Sequence, residues 1–235
     1  MIRCKFQGRL GNVLLQSVGM RLIAMKFDLK VDSYNNHYNF DKLGFKKYSG
    51  QKSYDDFLNL DDSNLLDLLK ETETDIKKGI YFDGLFQLKE FVLNYRKDIK
   101  DSFDIRYDYQ SPDNIFIHVR LDDAQNHNPG YEYYKKCLES TNFNIGYISS
   151  DSTNSEIVNR LIDEFKLVLY QNNPLDTINF AKDFNKIVLS EGTFSWWIGM
   201  LSKAEEIYYP KISDKPLWHG DIFVYDDWRS MDDKK

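Results

Sequence analysis

The chain has 235 residues, enough for one large domain or two small ones, and its 42% hydrophobic and 15% aromatic content excludes a disordered protein. A net charge of −6 and an isoelectric point near 5.3 exclude broad binding to nucleic acid or anionic membranes, which require a basic face. Cys4 and Cys137 could form one disulfide, but two free thiols in a reducing compartment are the simpler interpretation. Met1 leads directly into a strand-like run, with no signal peptide or membrane-spanning stretch, so we expect a soluble cytoplasmic protein.

The first half of the chain predicts short strands and helices. Residues 2–6 predict a strand and 8–11 a turn, and Asn12 is a candidate cap for the helix that follows. That helix has an apolar stripe of Val13, Leu14, Val18, Leu22 and Met25. Further along, the pattern predicts a short strand over 30–33, a loop over 34–52, helices over 53–59 and 62–73, a strand over 80–83 and a long helix over 87–103.

The second half alternates strands and helices more regularly. Strands are predicted over 115–119, 145–149, 167–170, 187–189 and 206–209, and helices over 131–140, 155–165, 174–182 and 194–202. This alternation predicts an α/β fold with a parallel sheet that carries helices on both faces. The polar segment 107–114 is the expected boundary between two α/β halves, with a cleft between them that suits a nucleotide.

The strand over 115–119 and the residues after it indicate an anion site. Period-two alternation places His118 and Arg120 on the same face, at the carboxyl end where ligands bind in open α/β sheets. The Arg120 guanidinium offers a fork of donors suited to phosphate. The alternative is a structural ion pair between Arg120 and Asp122 or Asp123.

Two glycine-containing turns provide further candidates. Gly8, Gly11 and Asn12 lie between a strand and a helix, where backbone N–H groups can meet a ligand, although an ordinary βα turn explains them equally well. Gly192 leads into a helix whose first turn holds Thr193 and Ser195, which are candidate phosphate donors. In the alternative interpretation Thr193 merely caps that helix, and the following pair Trp196-Trp197 is expected to be core.

Asp151 ends the strand that begins near residue 145, and it could contact a sugar or cap the next helix, with the cap favoured. The histidines His37, His127 and His219 are scattered, and no Cys, His or Asp spacing matches a metal site. The sequence contains neither a P-loop nor a Gly-x-Ser-x-Gly elbow, which counts against a kinase-like or phosphatase-like enzyme.

Taken in order, these motifs resemble those of the inverting α-1,2-fucosyltransferases of glycosyltransferase family 11, within the wider α-1,2/α-1,6/O-fucosyltransferase group. The run from Gly8 to Gln16 resembles the family's Gly-Gly-Leu-Gly-Asn-Gln opening, and His118-Val-Arg-Leu-Asp-Asp123 resembles its His-Val-Arg-Arg-Gly-Asp signature. Other segments that follow the family's order are 83–87, 95–96, 131–134, 149–151, 176, 193–197 and 227–228. Leu121 and Asp122 stand where the signature has its second arginine and its glycine.

The resemblance implies a GT-B-like fold of two Rossmann-like halves with a reduced N-terminal half. It assigns residues 1–110 to the acceptor side and 111–235 to the nucleotide-sugar donor side. It implies metal-independent transfer of L-fucose from GDP-fucose to a hydroxyl of an acceptor glycan, with inversion and without a cofactor, as in a galactoside α-1,2-fucosyltransferase. The expected catalytic residues are Arg120, Asp123 and His118; the expected donor-binding residues are Arg120, Thr193, Phe194, Ser195 and Asp151; the expected acceptor or cleft residues are Gly8, Gly11, Asn12 and Gln87.

Several points stay open at the level of sequence. Asp122 and Glu191 are further candidates for the carboxylate that takes the acceptor proton. One alternative is a transferase that uses another nucleotide sugar. The other is a non-catalytic protein that binds a glycan or a nucleotide on the same scaffold.

Overall fold

The computed structural model describes residues 1–35, 37–123, 127–211 and 222–232. Two compact units form within this part of the chain. The first consists of Met1–Asp104 together with Ile222, and the second of residues 105–211 and 223–232. Each unit is built around a parallel sheet with helices, so the predicted α/β class is confirmed. None of the described helices is long and apolar enough to cross a membrane.

The first unit has a three-stranded parallel sheet in the order β1-β3-β2. Its strands are Ile2–Cys4 (β1), Phe57–Leu60 (β2) and Gly79–Phe82 (β3). Its helices are Leu10–Phe27 (α1), Asp62–Lys70 (α2), Lys89–Asn94 (α3) and Arg96–Asp101 (α4), with a 3-10 helix at Phe40–Leu43. A capping box between Asp61 and Asn64 fixes the start of α2.

Several predictions for this unit are wrong in detail. The predicted helix over 53–59 is replaced by β2, because pairing with β3 overrides the weak local preference of a short segment. The predicted long helix over 87–103 is interrupted at Tyr95, between α3 and α4. The predicted strand over 30–33 is reduced to a single bridge between Val31 and Ile2. In the apolar stripe of α1, Met25 is exposed rather than buried.

The second unit has a six-stranded parallel sheet in the order β6-β5-β4-β7-β8-β9. Its strands are Ile115–Val119 (β4), Gly146–Ser150 (β5), Val168–Leu169 (β6), Lys186–Val188 (β7), Glu206–Lys211 (β8) and Arg229–Asp232 (β9). Its helices are Tyr131–Glu139 (α5), Glu156–Phe165 (α6), Pro174–Ala181 (α7) and Thr193–Leu201 (α8). Sequence patterning predicted all of these elements to within two residues at either end, except β9, which it missed.

Strand β4 lies at the centre of this sheet and is buried on both faces. Ile115, Ile117 and Val119 belong to the same core cluster as residues of α5 and α6. The alternate residue Phe116 contacts the ring of Phe180 in α7 instead. Helices therefore cover both faces of the sheet, as predicted, and β4 delivers alternate side chains to two different layers.

Candidate functional site

The candidate site lies where the strand order of the second sheet reverses. The chain runs outward from β4 through β5 to β6 and then returns to form β7 on the other side of β4. This is the order of a doubly wound, Rossmann-like sheet. In sheets of this kind, ligands bind outside the carboxyl ends of the strands, at the place where the strand order reverses. Here the residues at that place are 118–123, at and after the end of β4, and 189–195, after β7.

His118 is buried at this edge and is bonded to α8. Its Nδ1 atom lies 2.5 Å from Ser195 Oγ, and that hydroxyl oxygen also accepts the backbone N–H of Ser190 at 3.2 Å. The Ser195 hydroxyl keeps a second lone pair, so this bond runs from Oγ–H to Nδ1 in one tautomer of the imidazole and from Nδ1–H to Oγ in the other. The ring of Phe194 packs against the imidazole with centroids 5.0 Å apart.

The environment of His118 keeps the imidazole neutral. Burial, reinforced by the positive charge of nearby Arg120, lowers the pKa of His118 from 6.5 to about 3. At neutral pH the ring is therefore uncharged, and it is not an imidazolium acid. Its basicity is too low for an efficient general base near pH 7.

Arg120 follows β4 and packs against the turn that leads into α8. Its Nη2 donates to Asp123 Oδ1 at 3.0 Å, and its side chain is 24% exposed against 48% for Asp123. The buried Nε has no hydrogen-bond partner among the described residues. A Cβ atom added to Gly192 would lie 2.0 Å from Arg120 Nη1, so the guanidinium occupies space that only glycine leaves open. The structural ion pair considered from the sequence is thus present, and it engages one nitrogen of the fork.

Helix α8 begins directly beside this guanidinium. Gly192 is its N-cap residue, with φ 99° and ψ 162°, and glycine has no side chain with which to cap the helix. The alternative in which Thr193 caps α8 is therefore wrong, since Thr193 is the first helical residue. Backbone N–H groups of the first turn and the helix dipole favour an anion at this end. Trp196 and Trp197 are fully buried, which confirms that they are core residues.

Three exposed carboxylates lie beside Arg120. Asp122, Asp123 and Asp151 each place an oxygen within 4.8 Å of the others, a spacing that a cation could bridge. Asp151 Oδ1 accepts the backbone N–H groups of Leu121 at 2.8 Å and Asp122 at 3.3 Å, so it orders the segment after β4. The favoured prediction that Asp151 caps α6 is wrong, because Ser155 performs that role. Glu191 is buried nearby, with Oε2 4.0 Å from His127 Nδ1.

Leu121 is a core residue of the second unit. Its side chain is buried in the cluster formed with α5 and α6, on the face of the sheet opposite to Phe116. Leu121 therefore contributes to the hydrophobic core, whereas the neighbouring Arg120 faces the start of α8.

Sequence reasoning missed the polar residues that surround the two strand ends. Asn128 Nδ2 donates to the backbone oxygen of Arg120 at 2.7 Å and to the hydroxyl of Tyr134 at 3.1 Å. The Tyr134 hydroxyl in turn donates to Ser190 Oγ at 3.0 Å. The only sequence signal was the 131–134 tyrosine segment, which matched the family's order without indicating a role.

The predicted acceptor residues belong to the first unit, where three of them meet. Gln87 Nε2 donates to Asn12 Oδ1 at 3.0 Å, and a Cβ on Gly8 would lie 2.4 Å from Asn12 Nδ2. Buried Gln16 ties the loops after β1 and β3 together by donating to the backbone oxygen of Gly84 at 2.9 Å. The predicted cap is wrong, because α1 begins at Leu10 and includes both Gly11 and Asn12. This cluster is a second polar site at the carboxyl ends of a parallel sheet.

Comparison with known proteins found no matching family model, no matching curated protein and no matching solved structure.

Proposed function

We propose that this chain is an inverting glycosyltransferase whose second unit holds the diphosphate of a nucleotide sugar at the strand reversal beside β4. The observation that carries the proposal is the convergence of three anion-binding features at one point. They are the guanidinium of Arg120, the amino end of α8, whose N-cap residue is Gly192, and a neutral His118. Transfer from a sugar diphosphate loads negative charge onto the leaving group, and preorganised donors at that position lower the barrier.

In the proposed step, an acceptor hydroxyl oxygen attacks the anomeric carbon from the face opposite the diphosphate. The bond between the anomeric carbon and the phosphate oxygen breaks, and its electron pair stays on the nucleoside diphosphate. Arg120 and the α8 N–H groups stabilise that charge, and His118, in the tautomer with its proton on Nε2, donates a hydrogen bond without changing its protonation state. The acceptor proton passes to a carboxylate, for which Asp123, Asp122 and Glu191 are the candidates at this edge.

The resemblance to the α-1,2-fucosyltransferases supplies the finer part of the proposal. It favours L-fucose as the sugar, GDP as the nucleotide and a glycan hydroxyl as the acceptor. It also favours a GT-B-like arrangement in which the polar cluster of Gly8, Asn12 and Gln87 serves the acceptor. Asp151 accepts backbone N–H groups through one carboxylate oxygen. In this arrangement it supports donor binding indirectly, by ordering the segment after β4.

The decisive variant is Arg120→Ala. We expect its transfer rate from GDP-fucose, or its donor hydrolysis rate, to fall by about 10²-fold or more, the loss typical for a group that stabilises charge in the transition state. Its stability should change by about 1 kcal/mol or less, because Asp123 is half-exposed in the lost ion pair and the buried Nε that is removed makes no hydrogen bond to the described residues.

The matched control for this variant is Arg229→Ala. Arg229 forms an exposed ion pair with Glu206 at 2.8 Å in the same unit, away from the strand reversal. The control should retain parental transfer activity. A folded Arg120→Ala protein that retains full activity contradicts the proposed function.

A second candidate is a nucleotide-binding or glycan-binding protein without catalytic activity. The pairing of Arg120 with Asp123 favours it, since a guanidinium already paired with a carboxylate stabilises the charge that develops on a leaving diphosphate less well. Donor hydrolysis measured across GDP-, UDP- and TDP-sugars separates the two candidates. An enzyme turns over at least one donor slowly, whereas a binding protein binds a donor and turns over none.

A further inference from the structure

We propose that Asn128 is a positioning residue that holds Arg120 in place through its main chain. The inference rests on the donor-binding role of Arg120 in the proposed function. Asn128 lies between β4 and α5, and it belongs to none of the segments that the family resemblance singles out. It carries no charge and offers no proton, so any effect on the reaction passes through the groups to which it is bonded.

The carboxamide of Asn128 is bonded through both of its ends. Its Nδ2 donates to the Arg120 backbone oxygen at 2.7 Å and to the Tyr134 hydroxyl at 3.1 Å. Its Oδ1 accepts the backbone N–H of Gly130 at 2.8 Å. Both donor hydrogens of the amide are therefore in use, and a side chain without an N–H group cannot replace them.

These bonds continue to the other strand of the site. The Tyr134 hydroxyl donates to Ser190 Oγ, the Ser190 backbone N–H donates to Ser195 Oγ, and Ser195 Oγ contacts His118 Nδ1. Because His118 and Arg120 are two residues apart, the bonds form a closed ring around the ends of β4 and β7. Tyr134, Ser190 and Ser195 are buried, where such a ring is shielded from water and is most rigid.

Arg120 needs this support because little else fixes it. Its Nε is buried without a hydrogen-bond partner among the described residues, and its Nη2 bonds an exposed carboxylate. The guanidinium is therefore oriented mainly by packing against Gly192 and by the position of its own backbone. Asn128 holds that backbone at the carbonyl, and small displacements of a charge-stabilising group are costly in rate.

The test is Asn128→Leu, a neutral change of similar size that removes the amide. The matched control is Asn159→Leu, because Asn159 Nδ2 also donates to a backbone oxygen, at 3.3 Å, but on the exposed side of α6. GDP affinity is measured by calorimetry for both variants, alone and combined with Arg120→Ala. Exchange of the Arg120 Nε–H with solvent is measured by NMR in the proteins that retain Arg120.

We expect Asn128→Leu to weaken GDP binding about tenfold in the parent and to have no further effect once Arg120 is alanine, since coupled residues are not additive. We also expect Arg120 Nε–H exchange to become at least severalfold faster, while Asn159→Leu changes neither quantity. A merely structural role would lower stability without this dependence on Arg120. If Asn128→Leu does not fold, Tyr134→Phe interrupts the same ring with a smaller change and replaces it in both measurements.

Two results overturn the inference. One is an equal loss of GDP affinity with and without Arg120, and the other is unchanged Nε–H exchange. If the parent protein binds no nucleoside diphosphate, the proposed function fails by that result alone. The exchange rate of Arg120 Nε–H then decides the positioning role separately, because it requires no ligand.

Discussion

Gly192 and Gly130 share one backbone conformation in two different surroundings. Both are N-cap residues, with φ 99° and ψ 162° at Gly192 and φ 87° and ψ 166° at Gly130, a region that essentially only glycine occupies. A Cβ on Gly130 would meet nothing within 4 Å, whereas one on Gly192 would meet Arg120 Nη1 at 2.0 Å. Gly130 is connected to Arg120 through the Asn128 side chain, whereas Gly192 lies against the guanidinium itself. The pair therefore separates direct displacement of the guanidinium from strain passed through the backbone.

We expect Gly192→Ala and Gly130→Ala to lose similar stability, about 1–3 kcal/mol each in urea unfolding, because both pay the same backbone strain. Arg120 can swing away from the new methyl group, so the clash adds little to the stability cost. It removes Arg120 from the anion site, and Gly192→Ala should lose much more GDP affinity than Gly130→Ala. Equal affinity for GDP in the two variants would show that Arg120 does not need this position.

At the residue scale, the sequence predicted the two side chains at the end of β4, but it did not predict the residues that hold them in place. Period-two alternation along β4 placed His118 and Arg120 on one face of the sheet, where both lie against the start of α8. The direction of a side chain in a strand depends only on its position along that strand, so the sequence alone predicts it. The bonds of Asn128 and Tyr134 could not be read in the same way. They join β4 to α5 and to the segment after β7, which lies 56 residues from Tyr134. Such contacts depend on the completed sheet.

At the scale of elements, β4 and α8 are joined through the buried pair of His118 and Ser195. In the folded chain the pKa of His118 is about 3, whereas in the unfolded chain it returns to about 6.5. Between these values the unfolded state binds more protons than the folded state. Stability of the second unit therefore falls as the pH decreases from about 6.5 toward 3.

We expect the free energy of unfolding to drop by about 2 kcal/mol more in the parent than in His118→Gln between pH 7.5 and pH 5. Three of the four tryptophans of the chain, Trp196, Trp197 and Trp228, lie in the second unit, so tryptophan fluorescence during urea unfolding reports mainly on that unit. The variant is the control for the other titrating groups of the protein. The same pH dependence in both proteins would contradict a neutral, buried imidazole.

Elements of the second unit were easier to predict than those of the first for a physical reason. Helix α6, for example, begins at a capping residue, Ser155, and has a clear apolar face. Strand β4 is a nearly continuous apolar run, as expected for a strand that is covered on both sides. Strand β2 has a mixed burial pattern and is stabilised by pairing with β3, which the local sequence does not encode. Strand β9 likewise acquires its structure by pairing with β8.

At the scale of the whole molecule, a net charge of −6 coexists with a local anion site. The charge of a whole chain limits nonspecific binding, whereas affinity for one anion depends on a few donors at close range. Arg120, the α8 amino end and His118 are such donors, and all three belong to the second unit. A nucleoside diphosphate should therefore bind specifically and stabilise that unit.

This stabilisation can be measured by thermal unfolding followed through tryptophan fluorescence, with GDP, UDP and inorganic phosphate compared at equal concentration. A ligand that binds only the native state at 100 times its Kd adds about 2.7 kcal/mol, which corresponds to an increase in Tm of several degrees. We expect GDP to give the largest increase and phosphate a small one. Arg120→Ala should reduce both strongly, because in the proposed complex the guanidinium contacts the shared phosphate groups. An increase with UDP alone would reassign the donor base to uracil. If no nucleoside diphosphate raises the Tm, the strand reversal beside β4 is not a donor site, however well its donors converge.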